Sequence, residues 1–404
     1  MHVLHLSDAC DAADGVIAPS IDVIRRGLAL EGVRSTLVAP GVSSDGGRIG
    51  IPARHLPGGG ELCWMGWRAL TAGTRQLADL GGIDAVHVHS PLLAHRAGTH
   101  LATRLGVPLL LSWHQPAEAL LPGLMRLLPS GVGHRVARQL TIRRSAAARC
   151  VVAASERLGS RLVSYGVRTR IEIVPGGIDP AVYARGDGTA FRIRHGVDPE
   201  RPLVLVAGAH CADHHATEAE SGFLLEVLER AREQAPRAQL IVAGDGADSD
   251  AMRYRLRAAG LAARVRVIAL APDSRDLADC YAACDLLALA TREDVDGESV
   301  LRAMAAGLPV VAIARSGAPD VLRRARGVRL TEDTALALAQ AIGRLSSNPR
   351  QLAVLSREAR SECTHWSQAT MAGRLADIYA SLFTAPSVSR TAPSYDSNGF
   401  ATPH

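Results

Sequence analysis

The chain has 404 residues, 47% of them hydrophobic and 21% charged, which is too long for one small core and suits two soluble globular domains. No run of eighteen apolar residues occurs, which excludes a membrane-spanning helix. The net charge of +5 permits anionic lipid or nucleotide partners without demanding them, and nucleic acid is not expected as a partner.

The opening residues, Met1-His2-Val3-Leu4-His5-Leu6-Ser7-Asp8, lack a basic n-region and a long apolar stretch, so they read as a first strand and not a signal peptide. From there short apolar runs alternate with helical stretches. The pattern predicts a strand at Val3–Ser7, a helix at Val16–Glu31, a strand at Ser35–Ala39 and a helix at Cys63–Leu80. It continues with a strand at Ala85–His89, a helix at Leu92–Leu105, strands at Pro108–Trp113 and Cys150–Ala154, a helix at Ser155–Tyr165 and a strand at Ile171–Val174. After a segment rich in Gly and Pro, Pro175–Asp198, the pattern restarts. Strands are expected at Leu203–Ala207, Gln239–Ala243, Arg264–Ile268, Leu286–Leu289 and Val310–Ile313, and helices at Glu218–Glu233, Asp250–Ala259, Ser299–Ala306 and Trp366–Leu382. Strand–helix alternation implies parallel sheets covered on both faces, and buried strands of such sheets are near-continuous apolar runs, as Leu109-Leu110-Leu111 is. The fold class expected is therefore α/β, with two Rossmann-like domains over 1–178 and 179–365, a C-terminal helix over 366–383 and a disordered Ser/Pro/Thr/Ala-rich tail over 384–404.

The seven cysteines are odd in number and scattered, with no CxxC pair. That fits a reducing cytoplasm without a disulfide framework. No lysine occurs, so all 45 basic side chains are arginine and any lysine-dependent chemistry is excluded.

Several segments, in order along about residues 1–383, resemble the family 4 glycosyltransferases of the GT-B fold. They are His5-Leu6-Ser7-Asp8 with Asp14-Gly15-Val16, Asp84-Ala85-Val86-His87-Val88-His89, Leu111-Ser112-Trp113-His114, Ala153-Ala154-Ser155-Glu156 and Val174-Pro175-Gly176-Gly177-Ile178-Asp179. The most specific is Ala303-Met304-Ala305-Ala306-Gly307-Leu308-Pro309-Val310-Val311-Ala312, followed by Ser316-Gly317-Ala318-Pro319-Asp320. The resemblance implies two sheets facing across a cleft, with a nucleotide-sugar donor on the second domain and a glycan or lipid-linked acceptor on the first. It implies transfer with retention, no metal and no cofactor beyond the donor, in polysaccharide, glycolipid or envelope glycan assembly. The protein would be cytoplasmic or peripheral on the inner face of the cell membrane.

Donor binding is expected at Gly297-Glu298-Ser299-Val300, where a helix begins and a glycine lets a phosphate approach the backbone; a plain helix N-cap is the competing reading. Gly208 ends the first strand of the second half, and the arginine and lysine that the family carries after it correspond here to Ala209 and His214. The family's two glutamates with seven residues between them correspond to Asp294 and Arg302. Arg302 has no acceptor for ribose hydroxyls, so with Arg292 it is a candidate for phosphate charge compensation. Gly176 stands where an asparagine is usual. By resemblance His114 sits beside the reacting sugar, and with Asp294 it is the candidate for catalysis; a hydrogen-bonded loop histidine is the alternative for His114. Asp8, Gly15 and His89 are candidates for the acceptor side of the cleft. The run His210-Cys211-Ala212-Asp213-His214-His215 holds metal-binding residue types without a known ligand spacing, and it reads as a polar loop with no metal. Residues 120–149 combine Leu and Met with many arginines, a composition that suits an anionic membrane surface or a core-packed helix with a solvated basic face. The altered donor positions leave two other readings: a catalytically impaired GT-B protein that binds a glycan, lipid or partner, and another Rossmann-pair enzyme such as a sugar epimerase.

Overall fold

The computed structural model describes residues 1–10, 17–42, 47–56, 61–80, 82–208, 218–244, 249–270, 275–292, 297–314 and 325–384. The expected disordered tail, apart from Thr384, lies outside them.

The first sheet contains β1 (His2–Leu6), β2 (Arg34–Pro40), β3 (Arg48–Ile51), β6 (Ala85–Val88), β7 (Leu109–Trp113), β8 (Cys150–Ala153) and β9 (Ile171–Ile173). Their order is β3-β2-β1-β6-β7-β8-β9, parallel throughout. A separate antiparallel hairpin joins β4 (Ala53–His55) to β5 (Cys63–Met65). The second sheet contains β10 (Leu203–Ala207), β11 (Gln239–Gly244), β12 (Val265–Ala269), β13 (Leu286–Leu289), β14 (Val310–Ile313) and β15 (Val328–Thr331). Its order is β12-β11-β10-β13-β14-β15, again all parallel. The α/β class read from the alternation is the class observed.

Strand parity decides what each sheet face meets. On one face of the first sheet Leu4, Leu6, Val86, Val88, Leu109, Leu111, Val151 and Ala153 join one core. On the other, Val3, Ala85, Leu110, Cys150 and Val152 pack with Leu375, Ile378, Tyr379 and Leu382 of the C-terminal helix Gln368–Thr384. That helix follows the second sheet in sequence yet covers the first. Its 3–4 spacing gives an apolar stripe, and it crosses the helix Ile17–Leu30 where Gly27 has no side chain: a Cβ there would lie 2.7 Å from Ala372 Cβ.

Three differences from the sequence reading matter. The helix expected from Cys63 begins at Trp67, because Cys63–Met65 pairs with Ala53–His55 as a strand. The C-terminal helix begins at Gln368 after a 3-10 turn over Thr364–Trp366. Strand β15 and the helices Arg275–Ala283, Ala335–Ser346 and Pro349–Cys363 had no counterpart in the apolar periodicity. No helix among the described residues is long and apolar enough to cross a membrane.

Candidate functional site

In open parallel sheets a ligand site forms beyond the carboxyl ends of two neighbouring strands whose connections run in opposite directions. The strand orders fix those places between β1 and β6 in the first sheet and between β10 and β13 in the second.

At the first of these, Asp8 and Ser90 follow β1 and β6. The Asp8 amide donates to Ser90 Oγ at 2.7 Å, and that hydroxyl donates to Asp8 Oδ2 at 2.7 Å. Asp8 Oδ1 accepts the Ala94 amide at 3.0 Å, at the start of the helix Leu93–Leu105. Burial raises the Asp8 pKa to about 6, against the opposing hydrogen bonds from Ser90 and the Ala94, Leu92 and Leu93 amides. Asp8, expected to face the acceptor, is fully buried and acts as a clasp between two strand ends and a helix N-terminus. Gly15 lies outside the described residues.

Beside this clasp stands a column of histidines. His5 and His87 are register partners on adjacent strands, and His89 extends the same face by one step. His5 Nδ1 meets His89 Nε2 at 2.9 Å, and His89 Nδ1 meets His114 Nε2 at 3.1 Å. His87 bonds instead to Tyr379 Oη at 2.6 Å and to Ser112 Oγ at 2.7 Å. Burial lowers the pKa of His5 to about 3 and of His114 to about 4, and holds His87 and His89 well below the usual imidazole range. All four rings are therefore neutral at pH 7. His114, partly exposed, ends the column just past β7, and its Nδ1 has no partner among the described residues. His89, expected at the cleft, is buried behind it.

Glu61, which the sequence did not single out, completes this corner. Its Oε2 accepts the Ile17 amide at 2.7 Å and its Oε1 the Gln115 side-chain amide at 3.3 Å. It thereby links the first helix to the residue next to His114. Its only sequence signal is a carboxylate wedged between a glycine run and apolar Leu62-Cys63.

In the second sheet, Gly208 follows β10, and a Cβ there would lie 3.2 Å from Ala290 O and 3.3 Å from Leu224 Cδ2. The Ala290 amide donates to Ala207 O at 2.7 Å, so Gly208 permits close packing of the two central strands at their carboxyl ends. The helix Gly297–Ala305 is the next element after β13 in the chain. Gly297 and Ser299 are partly buried. Val300 is fully buried and its side chain belongs to the core. Arg302 lies over the Tyr183 ring, with its guanidinium carbon 5.9 Å from the centroid. Arg292 is engaged by Asp333 at 2.8 Å and stacks on Phe223 at 4.0 Å. Buried Glu220, another residue missed, accepts from Thr291 Oγ1 at 2.6 Å and from the Arg292 amide. His214, Asp294, the 210–215 run and the Glu298 side chain lie outside the described residues. A Cβ at Gly176 would meet nothing within 4 Å, so there is room for the usual asparagine.

The arginine-rich stretch folds as helices Ala117–Leu120, Pro122–Leu127 and Ser130–Ala146. Leu127, Val132 and Val136 are exposed apolar side chains, with exposed Arg135 and Arg143 on the same long helix as the valines.

Residues 17–182 match the family described as Glycosyltransferase Family 4, and residues 217–362 match Glycosyl transferases group 1. The chain is 30% identical to the D-inositol 3-phosphate glycosyltransferase of Xylanimonas cellulosilytica, across 82% of each protein. Among solved structures it is similar to Anabaena HepE in complex with UDP, with TM-score 0.67 and 18% identity over 94% of this chain and 100% of that one. It is also similar to sucrose-phosphate synthase from Thermosynechococcus elongatus, with TM-score 0.66 and 17% identity over 95% and 99%.

Proposed function

This chain belongs to the family 4 glycosyltransferases of the GT-B fold, and on that premise we propose that it moves a sugar from a nucleoside-diphosphate sugar to an acceptor hydroxyl with retention at the anomeric carbon. The observation that carries the donor half of this reading is the junction of β10 and β13. Gly208 and the first turn of the helix Gly297–Ala305 flank the place where strand order reverses in the second sheet. The first amides of a helix have no partner within it, and with the helix dipole they suit a diphosphate. The charge that develops on the departing diphosphate is where fixed amides contribute most to catalysis. His114, neutral and at the end of its column, offers Nδ1 to a sugar hydroxyl. The relative that acts on D-inositol 3-phosphate makes a phosphorylated polyol the first acceptor to try, before a glycan or lipid-linked one.

Calorimetric titration of the purified protein with UDP, GDP and ADP, followed by the matching nucleotide-sugars with inositol phosphate, tests both halves. Micromolar binding of one nucleotide and consumption of its sugar are expected. Failure of a folded sample to bind any of them at millimolar concentration would discard the donor reading. Arg302 at the ribose-gripping position favours one second reading, a protein that binds nucleotide or glycan without turning it over. Arg302→Glu then discriminates: a tenfold or greater gain in nucleotide-sugar turnover marks a transferase that lost a contact, and tighter nucleotide binding without turnover marks the binding protein.

A further inference from the structure

We propose that Cys10, His55 and Cys63 form a zinc(II) site that clips the β4–β5 hairpin onto the loop after β1. The three come together through backbone pairing. His55 and Cys63 are direct cross-strand partners in the hairpin. The Cys63 amide donates to Asp8 O at 2.8 Å, and the Cys10 amide donates to Glu61 O at 2.9 Å, flanking an antiparallel bridge between Ala9 and Leu62. The main chain thus fixes the Cβ positions before any metal arrives.

The donor atoms have the spacing a tetrahedral zinc needs. Cys10 Sγ lies 3.4 Å and Cys63 Sγ 3.7 Å from His55 Nδ1, and all three atoms are within 4.8 Å of one another. Zinc–sulfur bonds of about 2.3 Å and zinc–nitrogen bonds of about 2.0–2.1 Å at the tetrahedral angle put S and N about 3.6 Å apart and the two sulfurs about 3.8 Å apart. The observed contacts bracket the first of these values. Two thiolates and one imidazole favour zinc over magnesium or calcium, which take oxygen ligands. Both thiols are buried, whereas the imidazole is exposed, so the fourth position is open to solvent.

The second histidine cluster, His5, His87 and His89, has the numbers for a metal but not the free atoms. Its ring nitrogens are bonded to one another, to His114, to Tyr379 and to Ser112, and only His5 Nε2 lacks a partner. At the cysteine cluster the Cys10 thiol lies 3.2 Å from Glu61 O and 3.4 Å from His55 Nδ1, itself one of the three donor atoms. On binding, each thiol releases its proton to solvent as its sulfur lone pair takes the metal, and no electron is transferred.

This site is independent of the donor reading, since it uses no residue of the second sheet. The test is cobalt(II) titration of the full chain, reduced and freed of metal, with zinc competition and metal analysis. One equivalent of cobalt should give the intense visible bands of a tetrahedral ion with a thiolate charge-transfer band, and zinc should displace it. Exposed His55→Ala should weaken zinc binding at least tenfold with an unchanged melting profile of the metal-free protein. Cys63→Ser should abolish the charge-transfer band, and Cys211→Ser, in the separate 210–215 run, should retain it. Absence of tetrahedral bands in the reduced wild type, a signal lost with Cys211 and not with His55, or a Cys10–Cys63 disulfide in the protein as isolated from the cytosol would each overturn the site.

Discussion

Tyr379→Phe removes one oxygen from the centre of the contact between the C-terminal helix and the first sheet. The Tyr379 side chain is fully buried, and its hydroxyl sits 2.6 Å from Nδ1 of His87, which is fully buried as well. The ring's other nitrogen is already committed to Ser112 Oγ. A neutral imidazole whose second nitrogen loses its partner in an apolar enclosure forfeits about 1–3 kcal/mol, the desolvation cost of the orphaned group. Taking about 2 kcal/mol and a urea dependence near 2 kcal/mol per molar, the unfolding midpoint falls by about 1 M. Trp64, Trp67 and Trp113 lie in the half of the sequence that builds the first sheet, so tryptophan fluorescence in urea follows that half preferentially. Combining Tyr379→Phe with His87→Leu and Ser112→Ala should recover part of the loss, because replacing all three members of the chain leaves none of their polar atoms unpaired. A single-variant midpoint within about 0.25 M of wild type, equivalent to about 0.5 kcal/mol, would refute the account of the C-terminal helix as hydrogen-bonded into the first sheet.

The buried rings His5, His87 and His89 make the protein sensitive to acid. Burial depresses their native pKa values below the ordinary imidazole value of about 6.5. Below that pH the unfolded chain therefore binds more protons than the native one, and stability falls on acidification by up to about 1.4 kcal/mol per pH unit for each ring. The urea midpoint should hold from pH 8 to 7 and drop steeply from pH 6.5 to 5; a flat profile would mean the column is hydrated. Gly177→Ala should loosen the crossing of the two interdomain strands of chain. Its Cβ would lie 2.7 Å from Gln368 Cα and 2.8 Å from Gln368 N, main-chain atoms that cannot rotate aside, next to the Gln368 amide's bond to Ile178 O at 2.8 Å. A loss of about 1–3 kcal/mol is expected, with faster hydrogen exchange at the Ile178 and Gln368 amides; unchanged exchange counts against it. Leu127, Val132 and Val136, with Arg135, should carry the protein onto anionic vesicles at low salt, and Val136→Glu should abolish flotation. Wild type that stays with the soluble fraction at low salt removes the membrane from its list of partners.

What could be read from the sequence follows the range of the interactions involved. Buried parallel strands are apolar runs, so β1, β7, β10 and β13 stand out, and strand ends locate the places where sheets bind ligands. The hairpin was hidden because Cys63-Trp64-Met65 runs into the amphipathic stretch from Trp67, and three strand residues give too little period-two signal beside fourteen helical ones. Glu61 and the Cys10–His55–Cys63 cluster depend on that hairpin and were hidden with it. Tyr379 and His87 are 292 positions apart, and no local pattern announces such a pair.

The same separation of scales explains why polar residues at strand ends look alike in the sequence and differ in the structure. Asp8 and His89 end strands beside a ligand-binding junction, which is where both catalytic groups and structural clasps occur. Burial divides them. Asp8 spends its oxygens on Ser90 and a helix start, and His89 spends both nitrogens on two other imidazoles. Neither has an atom left for a substrate. His114 differs in one respect that chemistry can use: the column occupies one of its nitrogens, while the other has no partner among the described residues at a partly exposed position. A ring held from behind by two neutral histidines costs little to position when a sugar hydroxyl arrives. The buried column is therefore best understood as the support for the single imidazole at its end.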